Sequence, residues 1–303
     1  MRRLRALDLL QPAAPGQPPY LSAASGLVRS GSQLYVVADD ELHLGRFPIG
    51  GNAPGHLIRL FAGDLPERPK ARKRHKADLE ILLRLPPLPG YPHGALLALG
   101  SGSRPRRQRG ALLALDEQGE VSGAVLQVDT TALCRRLERE FGTVNLEGAW
   151  VHGTRLRLLQ RGNQDLSTSA LVDLDFATLA EGLVQDGVLA DVIPRRVLRM
   201  NLGDIDGVRL SFTDACVLKD GSWLFSAVAE DTDDAYADGR LAGASLGLAT
   251  PDAEIVWQRP LPAEYKVEGI HAEMNEGRLR VLCVTDADDR LQPAQLLEVG
   301  TGQ

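Results

Sequence analysis

The chain has 303 residues, of which 44% are hydrophobic and 24% are charged, a composition that allows a large buried core and excludes a disordered chain. Its formal net charge of −6 argues against nucleic-acid binding, which requires a basic surface. No apolar run approaches the roughly 18 residues of a membrane-spanning helix, which argues against a membrane partner.

The first segment, MRRLRALDLL, begins with basic residues, but Arg5 and Asp8 interrupt its apolar stretch. We therefore interpret it as part of the folded protein and not as a signal peptide. The three cysteines, Cys134, Cys216 and Cys283, are widely spaced in apolar surroundings, which fits neither a disulfide framework nor a zinc site. These features predict a cytoplasmic protein.

A short phrase returns five times along the chain: an acidic or hydroxyl residue opens an apolar run, and a turn then leads to a second apolar run. The five openings are SGLV at 25–28, EILL at 80–83, EGAW at 147–150, DACV at 214–217 and EGIH at 268–271. They begin 54 to 67 residues apart, and further short apolar runs bounded by turn residues follow each one, as is typical of strands. Four strands per repeat indicate the blades of a β-propeller.

We predict an all-β chain that folds as a single five-bladed propeller domain over residues 1–303. The predicted blades are residues 20–63, 76–130, 143–202, 208–260 and 265–299, the last completed by residues 3–10. The last repeat lacks a fourth apolar run, and the N-terminal run LRALDLL supplies one, so the first strand would close the ring. A six-bladed ring is the alternative, although no insertion reads as four strands. One helix is expected at 131–141, where apolar residues recur with helical spacing.

The residue that opens each phrase would stand at an equivalent point around the propeller axis, because the first strand of a blade lines the central channel. These residues are Ser25, Glu80, Glu147, Asp214 and Glu268. Four carboxylates in a narrow channel must be protonated or neutralised by a cation. A hard cation with oxygen ligands fits this site, and Ca²⁺, which accepts about six to eight oxygens in flexible geometry, fits it better than Mg²⁺. The alternative is that each carboxylate accepts backbone N–H bonds and ties neighbouring blades together.

The loops on the same face as these residues carry opposite charges. Blade two contributes two basic loops, at 68–76 and 104–109, whereas blades one, four and five offer acidic loops opposite them, at 39–40, 230–234 and 286–289. A mouth with a basic wall and an acidic wall suits an anionic small molecule such as a phosphoester, unless the charge runs are merely solvated loops. We expect the ligand to be held by Lys76, Arg104, Arg106, Arg107, Arg161 and Asn163.

Two residues are candidates for proton transfer. His75 lies five residues before Glu80 and belongs to the residue type that titrates near neutrality, and Glu147 belongs to the ring itself. The acidic segments at 203–207 and 231–239 hint at Ca²⁺ loops but lack the spacing of an EF-hand.

Several phrases resemble those of an uncharacterised bacterial β-propeller family similar to the esterase-like phytase propellers: HKADLE at 75–80, ALLALGSGS at 95–103, NLEGAW at 145–150 and LLQRGN at 158–163. The ring resembles that of calcium-activated apyrases, five-bladed propellers whose central Ca²⁺ is held by one Ser or Glu from each blade. Ser25, Glu80, Glu147 and Glu268 match that pattern in type and order, whereas Asp214 stands where a Ser is expected.

These observations together predict a metal-dependent hydrolase of a small phosphoester or phosphoanhydride, with Ca²⁺ on the axis. The metal would polarise a phosphoryl oxygen and position a water molecule. The alternative is a non-enzymatic propeller that binds a metabolite or a partner protein, in which the cation only fastens the blades.

Overall fold

The computed structural model describes residues 1–162, 169–231, 239–275 and 278–300. Its five antiparallel sheets follow one another along the chain and form the blades of a propeller. The predicted five-bladed, mostly β architecture is therefore confirmed.

The first two blades are regular four-stranded meanders. The chain opens with β1 (Arg2–Ala6), and blade one then comprises β2 (Ala24–Ser30), β3 (Gln33–Ala38), β4 (His43–Pro48) and β5 (His56–Arg59). Helix α1 (Pro69–His75) leads into blade two, which comprises β6 (Leu79–Leu85), β7 (Ala95–Gly100), β8 (Arg109–Leu115) and β9 (Val121–Asp129). A 3₁₀ turn at Pro105–Arg107 lies between β7 and β8.

The remaining blades carry the insertions. Helix α2 (Thr131–Phe141) precedes blade three, which comprises β10 (Leu146–His152), β11 (Arg155–Gln160), β12 (Ala170–Asp175), helix α3 (Phe176–Asp186) and β13 (Arg196–Arg199). Blade four comprises β14 (Asp204–Ile205), β15 (Val208–Val217), β16 (Trp223–Asp231), β17 (Arg240–Ala249) and β18 (Ile255–Leu261). Blade five comprises β19 (Val267–Asn275), β20 (Arg278–Thr285) and β21 (Gln295–Gly300).

The N-terminal strand closes the ring, as the sequence predicts. Strand β1 pairs antiparallel with β21, with Arg2 opposite Glu298 and Ala6 opposite Gln295. Leu7, which follows β1, is fully buried among side chains of blades one and five. The two ends of the chain thus complete one sheet, which leaves β21 without an open edge.

The core lies between the blades. In the part of the chain that the structure describes, the buried apolar side chains form five clusters, and each cluster joins two adjacent blades. This follows from the strands themselves, because successive side chains point to opposite faces and each blade therefore supplies two interfaces. Glycines allow the innermost strands to approach each other: a Cβ on Gly148 would lie 2.9 Å from the Ala215 nitrogen of the next blade.

Of the three α-helices in the described residues, one was predicted from the sequence and two were not. The predicted helix at 131–141 is present as α2. The basic segment 68–76 is not a loop, since Pro69–His75 form α1, with proline in its first turn, where no amide donor is needed. Helix α3 was not predicted, although Asp175 caps it by accepting a bond from the Thr178 nitrogen and Gly187 ends it in a left-handed conformation. The segment 203–207 forms a hairpin turn, in which the Gly207 nitrogen donates to the Asp204 carboxylate, and 231–239 lies mostly outside the described residues.

Candidate functional site

Every innermost strand contains a β-bulge. The pairing register skips one residue in each of the strands β2, β6, β10, β15 and β19. A bulge releases one residue from the alternation that otherwise directs side chains to the neighbouring blades. We call the five released residues the axial ring: Ser25, Glu80, Glu147, Thr213 and Glu268.

The ring corrects one predicted residue. In blade four the register skips between Phe212 and Asp214, so Thr213 takes the place that the sequence had assigned to Asp214. The four other predicted ring residues lie at the bulges.

The two hydroxyl residues of the axial ring fasten adjacent blades. The Ser25 hydroxyl donates to the Leu79 carbonyl, and the Thr213 hydroxyl donates to the Val267 carbonyl at 2.9 Å. Each acceptor residue directly precedes the ring glutamate of the next blade. These bonds therefore fix the backbone at Glu80 and at Glu268.

Asp214 also joins two blades. Its carboxylate accepts the backbone N–H of Ala215 at 2.7 Å and that of Ile270, in blade five, at 2.8 Å. This is the hydrogen-bonding alternative that the sequence analysis left open, realised at one of the four acidic positions. Burial raises the pKa of Asp214 well above its usual value, although the two backbone bonds oppose that shift.

The three ring glutamates remain as a group of interacting charges. Glu147 and Glu268 are buried and Glu80 is half-buried. Burial raises the pKa of Glu147 to about 8; nearby Arg161 opposes the shift, whereas Glu268 adds to it. Burial and the charge of Glu147 likewise raise the pKa of Glu80 well above its usual value. Burial and mutual repulsion thus both disfavour the ionised forms of Glu80 and Glu147.

A compact carboxylate cluster lies beside this group. One oxygen each from Asp39, Asp78 and Glu80 lie within 4.8 Å of one another, close enough to share a cation. Asp39 directly follows strand β3, and Asp78 directly precedes β6 in a left-handed conformation with φ of 56°. That conformation is uncommon for a residue with a side chain, and aspartate is among the few residue types that tolerate it.

Asp78 is held firmly by its neighbours. Its Oδ2 accepts the Ser101 hydroxyl at 2.5 Å and the Arg107 guanidinium at 2.6 Å. Its Oδ1 lies 3.0 Å from the Lys76 ammonium, which also contacts Asp39. Burial opposes the charge on Lys76, but Asp39, Asp78 and Glu80 outweigh it and raise the pKa of the ammonium above its usual value. By contrast, the Glu80 carboxylate has no hydrogen bond or ion pair within the described part of the chain.

A second network spans blades three, four and five. Arg161 lies 2.6 Å from Glu230 and 3.5 Å from Glu147, whose Oε1 also accepts the Asn145 amide at 2.8 Å. Lys266 lies 2.8 Å from Glu230 and 3.4 Å from Glu268. Acidic and basic side chains therefore alternate between adjacent blades and form ion pairs, which corrects the expectation of two opposite walls. Pairing is the arrangement that offsets the cost of burying charge.

Negative charge dominates this end of the axis, which we call the mouth. Eight carboxyl groups meet four cationic side chains there, a formal excess of four negative charges when every carboxyl is ionised: Asp39, Asp78, Glu80, Glu147, Glu230, Glu268, Asp286 and Asp288 against Lys76, Arg107, Arg161 and Lys266. Burial and the charge of Asp39 raise the pKa of Asp286 well above its usual value. A cation bound in the mouth would relieve this imbalance.

A cavity of about 120 Å³ opens beside the carboxylate cluster, between blade one, α1 and the loop after β20. Its lining mixes both signs of charge and includes Asp39, Arg72, Lys76, Asp286 and Arg290. Arg72 and Arg290 both pair with Asp40, at 2.6 and 3.0 Å, and this links α1 to blades one and five.

The predicted ligand-binding residues separate into different environments. Lys76, Arg107 and Arg161 lie in the mouth and are engaged in ion pairs. Arg104 and Arg106 have exposed side chains, and Asn163 lies outside the described residues. His75 is exposed on α1 with its Nδ1 at 2.7 Å from the Ala71 carbonyl oxygen, so the structure does not bring it to Glu147.

Sequence reasoning did not select Asp78, Glu230, Lys266 or Thr213 as site residues. Asp78 precedes Glu80 by two residues, and Lys266 precedes Glu268 by two residues. This short separation from the axial ring could have identified both as site residues.

A serine motif in blade four has a structural role. The segment GASLG at 243–247 has the G-x-S-x-G pattern, but it lies inside β17, where Ser245 is buried and accepts a hydrogen bond from Gln258. A nucleophile elbow requires a strand-to-helix turn.

Among the described residues, none of the helices combines the length and the apolar character that a membrane crossing requires. No curated protein matches the chain. Among solved structures, a bifunctional GH43-CE protein from Bacteroides eggerthii is similar over 98% of this chain and 34% of its own, with 10% identity and a TM-score of 0.50. That likeness concerns the fold alone.

Two further solved structures are similar over nearly their whole length. The glutaminyl cyclase of Myxococcus xanthus shares 11% identity over 92% of this chain and 93% of its own, with a TM-score of 0.47. The mannose phosphorylase MPT-4 of Leishmania mexicana shares 12% identity over 99% and 89%, with a TM-score of 0.46. The likeness to phytase-type propellers and to apyrases stays a prediction. The pattern of a family of unknown function, DUF6929, matches residues 20–300, and the chain belongs to that family.

Proposed function

We propose that this protein is a metal-dependent hydrolase that binds a divalent cation, Ca²⁺, in the mouth and acts on a small phosphoester or phosphoanhydride. The observation that carries the proposal is the carboxylate cluster of Asp39, Asp78 and Glu80, whose oxygens lie within 4.8 Å of one another in a mouth with excess negative charge. Oxygen-only donors in irregular geometry favour Ca²⁺. The chemistry of these donors fits the ion.

The composition of the axial ring gives further support. With Thr213 in the fourth position, every ring residue is either a hydroxyl residue or a glutamate, the types that the resemblance to calcium-activated apyrases implies. Glu147 raises the pKa of Glu80, and Glu268 in turn raises the pKa of Glu147, so these two glutamates would shape the field around the ion.

The bound cation would polarise a phosphoryl oxygen and acidify a water molecule. Glu147 would accept the proton of the attacking water, because burial raises its pKa to about 8 and makes it a stronger base than an exposed carboxylate. The water oxygen forms a bond to phosphorus, the bond from phosphorus to the leaving oxygen breaks, and Glu147 returns the proton to that leaving oxygen. The cavity beside the cluster would admit the substrate, and Lys76 and Arg161 would hold its negative charge.

The test is turnover of phosphoesters and of pyrophosphate by chelator-treated protein, with and without Ca²⁺. We expect hydrolysis only with the cation, and its loss in Glu80→Gln and Glu147→Gln. The control is Glu117→Gln, which makes the same change of charge at an exposed site distant from the mouth. Hydrolysis that persists in the presence of chelator, or in both mouth variants, would refute the proposal.

A second candidate function is a non-enzymatic propeller in which the cation fastens the blades. The observation that favours it is the engagement of the mouth's basic side chains: Arg107 with Asp78, Arg161 with Glu230, and Lys266 with Glu230 and Asp288. In that case Ca²⁺ raises the midpoint of thermal unfolding, but no phosphoester is turned over.

A further inference from the structure

Lys76 occupies the position that a metal ion would take. Its ammonium contacts Asp39 and lies 3.0 Å from Asp78, two of the three carboxylates in the cluster. Its side chain is only 11% exposed, so the charge sits within the mouth and not in solvent. An ammonium and a divalent cation cannot both occupy this position, because like charges repel strongly where water is excluded.

The surrounding structure allows Lys76 to leave. Lys76 is the C-cap of α1, and its backbone N–H donates to the Arg72 carbonyl at 2.8 Å. Its backbone is therefore anchored while its side chain keeps four rotatable bonds. Asp78 would remain in place without it, because Ser101 and Arg107 hold its other oxygen.

We infer that Lys76 is a tethered counter-ion of the cation site, which neutralises Asp39 and Asp78 while the metal is absent and is displaced when the metal binds. The inference rests on the proposed function and deepens it, since it names the residue that sets metal affinity. A displaced Lys76 lies at the edge of the cavity beside the cluster, where its ammonium can contact an anionic substrate. Lys76 is thus a residue that couples metal binding to substrate binding.

The experiment is a calorimetric titration of chelator-treated protein with Ca²⁺, in wild type and in Lys76→Met. Removal of the competing ammonium should tighten Ca²⁺ binding by roughly tenfold or more. The control is Lys70→Met, which makes the same change of charge on an exposed residue of the same helix and should leave the affinity unchanged.

A second readout separates displacement from a general effect of charge. Reductive methylation with formaldehyde and a borane, followed by peptide mass analysis, reports the accessibility of each lysine amine. Methylation of Lys76 should be slow in metal-free protein and faster with Ca²⁺, whereas that of Lys70 should be equal in both states.

The outcomes distinguish this inference from the proposed function. Equal or weaker Ca²⁺ binding by Lys76→Met, with normal binding by wild type, overturns the counter-ion role and leaves the metal site intact. Binding by Lys76→Met alone would show that the metal cannot displace Lys76, which overturns the inferred displacement and refutes a resident metal in the natural protein. Binding by neither protein, or methylation of Lys76 that does not respond to Ca²⁺, overturns the inference.

Discussion

Replacement of Asp214 by asparagine separates two roles that the sequence could not distinguish. Both oxygens of the buried Asp214 carboxylate accept backbone N–H bonds, from Ala215 at 2.7 Å and from Ile270 at 2.8 Å. An asparagine side chain keeps only one acceptor and turns its amide N–H₂ toward the other N–H. Either the bond to Ile270 in the next blade or the bond to Ala215 in the same strand is lost, and a buried donor is left without a partner.

The expected cost follows from that geometry. A buried donor left without a partner costs about 1 to 3 kcal/mol, so Asp214→Asn should lower the free energy of unfolding by about that amount. Because Thr213 and not Asp214 lies at the ring bulge, the same variant should bind Ca²⁺ with nearly unchanged affinity.

Urea denaturation followed by tryptophan fluorescence measures the first quantity, and calorimetry measures the second. Asp252→Asn, an exposed position in the same blade, controls for the change of charge. Wild-type stability combined with loss of Ca²⁺ binding in Asp214→Asn would show that Asp214 is a ring ligand, and the assignment of Thr213 to the ring would be wrong.

Three other predictions test the close approach of the innermost strands, the burial of Leu7 beside the closing strand and the environment of His271. Gly148→Ala should lower the free energy of unfolding by about 1 to 3 kcal/mol, because the new Cβ would lie 2.9 Å from the Ala215 nitrogen, whereas Gly50→Ala, in open space, should change it little in the same urea titration. Leu7→Ala should cost about 2 to 5 kcal/mol because Leu7 is fully buried beside the closing strand, and equal effects of Leu7→Ala and Leu10→Ala, which is 61% exposed, would contradict this reading. Burial lowers the pKa of His271 to about 4, so only the unfolded state takes up its proton as the pH falls below about 6.5, and this residue should cost about 2 kcal/mol of stability by pH 5. Urea titrations at pH 7 and pH 5 should show a smaller loss for His271→Gln than for wild type; an equal loss in both proteins would be inconsistent with a half-buried neutral imidazole.

The fold could be predicted because its signals are local and repeated. Short apolar runs between turns identify strands, and the missing fourth run of the last repeat pointed to the N-terminal strand that closes blade five. Helix α3 carried usable signals as well, a capping Asp175 and a terminal Gly187, but its apolar residues lie between two strands of one blade and were not separated from them. Helix α1 was not predicted because its many basic residues are typical of a solvated loop.

The candidate site was predictable only where one strand decides it. Ser25, Glu80, Glu147 and Glu268 open the repeated phrase, and that phrase coincides with the bulges. The sequence analysis missed Thr213 because Asp214 is acidic like three of the other predicted ring residues. A single sequence also does not show where a β-bulge lies. The pairing of Lys76 with Asp39 could not be predicted, because the two residues belong to different blades and meet only through the packing of those blades.

A crystal structure of the protein grown in Ca²⁺, with data collected for anomalous scattering, tests the central claim most directly. The account predicts an anomalous peak in the mouth, about 2.3 to 2.6 Å from oxygens of Asp39, Asp78 and Glu80, with the Lys76 ammonium moved away from them. A map without that peak, in which Lys76 still contacts Asp39 and Asp78 at saturating Ca²⁺, would contradict it.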